Sequence, residues 1–307
     1  MAQETFRIFY NQHIFPELLR LERRRNRLLR LLAGSLFVIL ALGGVLVYLD
    51  LFVLALFMTL PVAFYMSYLG YRINQFRLTF KPRIMTLILD YIDDAPNIGT
   101  LTFDAQRKVE PEVFQASQIF ASPAPYYRGE DFISGRVGHT IFSLCELRVE
   151  ENHPVKPGRR DVFRGVFLRA TFPDFAKGNI QIWPRHQRQH LMKAIKAFNR
   201  KGADNMDHEI MNPEFRELFI TYATQDTTVH RTITEPMQAE IVNYWKLTGK
   251  DMYFSFQDRE IYLAVTEPKD MMEPYIFRSN LSFELVREFS SDVLLLLHIV
   301  GEFDRTH

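Results

Sequence analysis

Several groups of polar side chains have types and spacings that could do chemistry. Glu130 and Asp131 follow an aromatic pair and precede a predicted strand. Asp226 follows the predicted end of another strand, with His230 and Arg231 shortly after. Functional groups often sit at strand ends, so Glu130, Asp131, Asp226 and His230 are the candidates for catalysis. Turn formation and helix capping explain both aspartates more simply, and that structural reading is preferred. His186 and His190 stand four apart on a predicted helix, a spacing that lets two imidazoles share a metal. Arg185 and Arg188 flank them and no carboxylate lies between, so no metal is expected there. Asp204, Asp207, His208 and Glu209 form an acidic cluster with one histidine, able in principle to hold a divalent cation or share a proton. A solvated linker is the commoner meaning of such a run.

Other chemistries are excluded by what the sequence lacks. Gly129, Gly135 and Gly138 fit no nucleotide-binding pattern, and there is no Gly-x-Ser-x-Gly elbow. No cofactor is expected. The lone Cys145 rules out an internal disulfide framework and a multi-cysteine zinc site. Period-2 counting places it on a strand face with Ile141, Leu147 and Val149, as a buried structural thiol. Acids and bases balance at 36 against 37, so no nucleic-acid partner is predicted.

These residues must be positioned by elements of two kinds. No charged residue occurs from Leu31 to Leu49, and after Asp50 none occurs from Leu51 to Tyr71. As one helix this run would be about twice the ~30 Å hydrocarbon thickness, whereas each half matches the ~20 residues of one crossing. A two-helix transmembrane hairpin over 31–71 is predicted, with its turn near Leu49 and Asp50 at the far interface. Arg20, Arg23, Arg24, Arg25, Arg27 and Arg30 precede the first span, and Arg72, Arg77, Lys81 and Arg83 follow the second. The turn carries no Lys or Arg, so both termini are expected in the cytoplasm. A re-entrant hairpin that never crosses is the alternative, and it leaves the same side cytoplasmic. Residues 1–30 read as a basic cytoplasmic helix. Its Arg23, Arg24, Arg25 and Arg27, with Arg159 and Arg160 in a basic loop beside Lys156, could touch anionic lipid, though a topology signal for the helix and a merely solvated loop are the preferred readings.

Residues 72–307 read as a soluble cytoplasmic domain. Pro82 and Pro111 each open a predicted helix. Strands are expected at Ile133–Val137 and Thr140–Val149, joined at Gly138, and at Phe163–Phe172, Asn179–Trp183 and Phe215–Ala223. Gln187–Asn199 has helical spacing, and Thr234 with Pro236 opens a helix that Gly249 stops. Met252–Phe256 and Ile261–Val265 form a hairpin. The last helix starts near Phe283 and carries Leu285, Phe289, Val293, Leu296 and Val300 on one face. The class is α+β with a mainly antiparallel sheet. The polar stretch 200–209 could divide two subdomains.

Certain stretches resemble a known family. They are Tyr127-Arg128-Gly129-Glu130-Asp131 with Gly135, Gly138 and Glu146-Leu147, then Phe163-Arg164-Gly165-Val166-Phe167. Asn212-Pro213-Glu214-Phe215, Phe219-Ile220-Thr221-Tyr222, Asp226, Arg231, Thr234 and Pro236 continue the pattern, as do Ser255-Phe256, Ile261–Ala264 and Glu273-Pro274. The chain is similar here to bacterial membrane proteins carrying the domain of unknown function 3137. The resemblance spans nearly all of the soluble part and fits the tandem spans. It brings no activity and no catalytic residues, and it implies a membrane-associated assembly.

The expected function is therefore a non-enzymatic interaction or scaffold module at the bacterial inner membrane. Its partners would be the bilayer and a protein, or a second copy of the chain. A hydrolase-like enzyme using the acidic and histidine residues is the first alternative, and an anionic-lipid surface sensor the second.

Overall fold

The computed structural model describes residues 2–95, 97–153, 156–172, 178–225, 227–268 and 273–306. The chain divides into two compact units, Met1–Tyr91 with Met272–Glu288, and Ile92–Met271 with Phe289–His307.

The first unit is helical. α1 (Ala2–Phe9) runs through a π-helical turn into α2 (Phe15–Tyr48), so the basic segment and the first apolar span form one continuous rod. Three residues then lead into α3 (Phe52–Asp93), with Asp50 at a φ of 55° in the turn. The rods lie side by side and antiparallel. Glu17 pairs with Arg83 at 3.2 Å near one end, while Gly43 approaches Thr59 towards the other. The predicted helix start at Pro82 is corrected: Pro82 lies inside α3. Its missing N–H costs one helical bond. Ile84, Met85, Ile88 and Ile92 are buried at helical spacing, which carries the helix through.

Both rods are long and apolar enough to cross a membrane. At ~1.5 Å per residue a helix the length of α2 reaches ~50 Å, well beyond a ~30 Å bilayer core. The two ends behave differently. In the most apolar 18-residue stretch of each rod only 6% and 11% is buried, and Phe37 and Phe57 are 72% and 70% exposed. At the other end Ile14, Leu18, Leu69, Phe76 and Phe80 are buried. That end also buries a polar knot. Arg25 pairs with Glu22 at 2.6 Å, and Glu22 accepts from the Asn280 N–H at 3.3 Å.

The second unit is built on one antiparallel sheet. In chain order its elements are β1 (Ile98–Asp104), α4 (Pro111–Ala116), β2 (Tyr126–Val137), β3 (Thr140–Asn152), β4 (Arg159–Thr171) and β5 (Asn179–Pro184). Then come α5 (Met192–Asn199), β6 (Ala203–Asn205), α6 (Pro213–Leu218), β7 (Phe219–Thr224), α7 (Val229–Thr232) and α8 (Glu235–Thr248). β8 (Met252–Gln257), β9 (Glu260–Thr266) and α9 (Phe283–Thr306) complete the chain. Among the described residues, nine strands lie in the order β1-β2-β3-β4-β9-β8-β5-β7-β6. The polar stretch 200–209 contributes β6, which pairs with β7 at the sheet edge.

Alternate residues of β3 show that both faces are covered. Cys145, Leu147 and Val149 enter an aromatic-rich core with Phe114, Phe120, Trp183 and Tyr253. Ile141 shares their face by parity but is 57% exposed, beyond the edge of that core. Thr140, Phe142 and Leu144 are buried on the opposite face. There α9 closes the end of the β2–β3 hairpin. The carboxylate of Asp304 accepts the His139 N–H at 3.0 Å and the Thr140 hydroxyl at 2.7 Å. Asp304→Ala strands both donors and is expected to cost about 2 kcal/mol, because bonds to a charged acceptor outweigh neutral ones. Equilibrium unfolding measures this, and an unchanged denaturation midpoint would show that the contact carries no stability.

The predicted strand Phe215–Ala223 is also corrected. Asn212 Oδ1 caps the Glu214 and Phe215 N–H groups at 2.9 and 3.2 Å, and Pro213 fixes the first turn of α6. The strand starts only at Phe219.

Candidate functional site

Among the described residues, the densest group of carboxylates lies where β2 loses its regular pairing. From Val137 opposite Thr140 to Ile133 opposite Leu144, the β2–β3 ladder is regular. It then shifts, and Glu130 stands opposite Glu146. Asp131 and Phe132 therefore face Cys145 alone, two residues against one, which is a β-bulge. Asp131 takes up the turn with a φ of 59°, and its N–H donates to the Ala105 carbonyl at 3.3 Å. Aspartate tolerates this left-handed conformation better than most residues. The bulge gathers three acids, so that Glu130, Asp131 and Glu146 each place an oxygen within 4.8 Å of the others. Asp131 is 1% exposed and Glu146 7%.

Three carboxylates this close can share a proton or accept a divalent cation. The chain also supplies compensation of its own. On the same sheet face, two residues along each strand, Arg128, Arg148 and Arg164 stand directly across from one another. A pair of acids across β2 and β3 thus lies beside a row of arginines across β2, β3 and β4, each offsetting repulsion in the other. The site reads first as a self-compensated charged surface with a buried acidic corner.

Next to this corner, burial first of all, then the negative charges of Asp131 and Glu146, push the Cys145 thiol up to about 12. The Val109 N–H, donating to Sγ at 3.2 Å, and the nearby Lys108 oppose the rise. Thiolate is the reactive form, so Cys145 is expected to resist a maleimide at pH 7.5 in the folded chain and to react fully in denaturant. Rapid labelling of native protein would overturn that assignment.

The other candidate residues are dispersed. His186 sits in a 3-10 turn (Arg185–Gln187) with its Nε2 3.2 Å from Asp251, and α5 begins only at Met192. The helix expected to align His186 with His190 is therefore interrupted between them. Asp207 accepts from Arg185 at 2.7 Å and from the Thr221 N–H at 2.8 Å, a structural tie between neighbouring segments. Glu209 accepts the Val229 N–H at 3.1 Å and lies 3.7 Å from His230 Nδ1. Asp204 and His208 are exposed, and Asp226 lies outside the described residues. Arg159 stacks over the Tyr126 ring at 3.7 Å, and Arg160 pairs with Glu151. Arg23, Arg24 and Arg27 are exposed along α2, whereas Arg25 is buried in its pair with Glu22 and presents no charge to a lipid surface.

Sequence reasoning missed Glu146. It reaches Glu130 only through strand pairing, and the bulge decides which residue it faces. Regular counting from the Val137–Thr140 pair at the turn would put Leu147 opposite Glu130. The side-by-side acids at the start of a predicted hairpin were the available signal.

Residues 161–305 match a family described as a protein of unknown function, DUF3137. The stretches at Phe163–Phe167, Asn212–Pro236 and Ser255–Pro274 fall inside the match, and Tyr127–Asp131 falls before it. No curated protein and no solved structure matches the chain.

Proposed function

We propose, with the DUF3137 resemblance as premise, that this protein is a membrane-anchored interaction module on the cytoplasmic side of the bacterial inner membrane. The observation that carries the reading is the contrast along α2 and α3. Their most apolar stretches leave large side chains exposed, while the same helices bury theirs further along. Apolar surface of that extent costs free energy in water and none in lipid. The arginines flanking the spans, set against a turn without Lys or Arg, support cytoplasmic termini. A sheet unit whose candidate groups mostly tie structure together supports holding a partner over turning over a substrate. Exposed Arg23, Arg24 and Arg27 would add electrostatic attraction to an anionic leaflet.

Single cysteines placed in a Cys145→Ala background test the topology. With a membrane-impermeant maleimide, Asp50→Cys is expected to label in intact spheroplasts and Lys156→Cys only in inverted vesicles. Labelling of Asp50→Cys from the cytoplasmic side alone would mean that the hairpin does not cross. Crosslinking of the full chain in its membrane, against a chain lacking 84–307, tests the partner. No adduct dependent on the sheet unit would remove the interaction reading.

A further inference from the structure

A cleft of about 450 Å³ opens between the loop after α4, the free end of the β3–β4 hairpin and the start of α5. Its volume falls in the ~300–1,000 Å³ range of small-molecule sites. Phe120, Tyr253, Leu191 and Ala194 line it, each at most 8% exposed, and give it an apolar floor. Six ionisable side chains stand around this floor: Glu151, Asp161, Arg160, Lys193, His153 and His190.

The charges do not cancel locally in equal measure. Glu151 accepts from Arg160 Nε at 2.7 Å and from the Ser122 hydroxyl at 2.9 Å. Partial burial works against its ionisation, but these two hydrogen bonds and the positive charge of Lys193 hold its carboxyl below the usual range. Asp161 accepts from Arg148 Nε at 3.4 Å, outside the cleft. Both acids thus have a cationic partner, Arg148 being shared between Asp161 and Glu150. Lys193 makes no hydrogen bond or ion pair among the described residues, and neither does His190. His153 accepts the Lys156 N–H on Nδ1 at 3.0 Å. That leaves the Lys193 ammonium and the His190 imidazole without a hydrogen-bonded partner among the described residues, at the solvent-facing rim of an apolar floor.

We propose that this cleft binds a small organic anion, a phosphate or carboxylate joined to an apolar body. The apolar body packs on Phe120 and Tyr253, and the anion meets Lys193 with His190. A phospholipid headgroup with the first part of its chains and a soluble phosphomonoester share that chemistry. The proposal does not depend on which protein partner the module holds.

The test uses the full-length chain in neutral-lipid nanodiscs, titrated calorimetrically with phenyl phosphate, inorganic phosphate and benzyl alcohol. Phenyl phosphate is expected to bind about tenfold more tightly than either of the others, since each lacks one half of the recognition. Lys193→Glu is expected to weaken phenyl phosphate by about tenfold or more, while Lys196→Glu, one turn along on the same helix and outside the cleft, leaves it unchanged. Both lysines are exposed, so neither change threatens folding. Nanodiscs containing phosphatidylglycerol then separate the sources: loss of phenyl phosphate binding identifies a headgroup, and retained binding a soluble ligand. No saturable binding of phenyl phosphate overturns the proposal. So does an equal effect of the two lysine substitutions, which would mark mere charge attraction.

Discussion

Gly165→Ala is expected to lower the stability of the sheet unit by at least about 3 kcal/mol, or to prevent its folding. Gly165 lies in β4, between Leu147 on β3 and Thr266 on β9. Its φ is 151°, which side-chain-bearing residues rarely adopt. A Cβ there would lie 2.0 Å from the Val265 carbonyl oxygen and 2.6 Å from the Glu267 nitrogen. Both obstacles are backbone, so no side chain can rotate aside. Relief requires β4 and β9 to separate at the centre of the sheet, breaking ladder bonds on both. Gly158→Ala is the control. Its φ of 123° is also unusual, but nothing lies within 4 Å of the added carbon. Strain alone should cost it about 1 kcal/mol. Denaturant unfolding of the two variants in detergent separates the effects. Equal midpoints would remove the steric argument.

Lys250→Met is expected to cost about 3 kcal/mol at neutral pH, because it leaves two acids together with their cation gone. Lys250 Nζ lies 2.7 Å from Glu267 and 2.7 Å from Asp292, all three side chains less than 15% exposed. The Tyr244 hydroxyl donates to the other Asp292 oxygen at 3.1 Å. One ammonium thus joins the end of β9 to α9 beside the end of α8. Burial alone would lower the lysine pKa, but Asp292 and Glu267 outweigh it and the value is raised. A group whose pKa rises on folding stabilises the fold fully below its unfolded value, about 10.4 for lysine. The contribution disappears as pH climbs through the higher folded value. The stability difference between wild type and Lys250→Met should therefore stay level from pH 7 to about pH 10 and shrink above it. Unfolding both proteins across that range tests the sign, and a difference that grew with alkalinity would refute it.

What could be read from the sequence was whatever local periodicity controls. The β8–β9 hairpin needs only two alternating runs and a turn, and it forms as expected. The last helix was legible because Phe289, Val293, Leu296 and Val300 recur at helical spacing, and all four are buried. Its first expected contact, Leu285, is instead 37% exposed. Where packing overrides propensity the reading failed, as at Pro82 inside α3. A short cap-driven helix hidden in a β-rich run, such as α6, failed for the opposite reason: Phe215 suits either state, and Asn212 decides. β1 was missed because Ile98–Asp104 alternates weakly around a glycine and has little character until β2 pairs with it. The acidic corner was half visible. Glu130 and Asp131 declare themselves by adjacency, whereas Glu146 joins them by register, which depends on a bulge no local pattern announces.

The strand order also sets a schedule for biosynthesis. β4 and β9 are direct neighbours, yet Gly165 and its partner Thr266 are about 100 residues apart in the chain. At roughly 5–20 residues per second, a ribosome takes about 5–20 s to cover that distance. Throughout that interval the emerging β1–β4 meander has an open edge at β4, carrying the apolar row of Val166, Phe167 and Leu168. An open apolar edge is a template for pairing with another chain. An N-terminal anchor that enters the membrane early would hold each nascent chain apart from its neighbours during this vulnerable window. On this account, detaching the helices would cost yield through aggregation during synthesis, even where the finished sheet is itself stable.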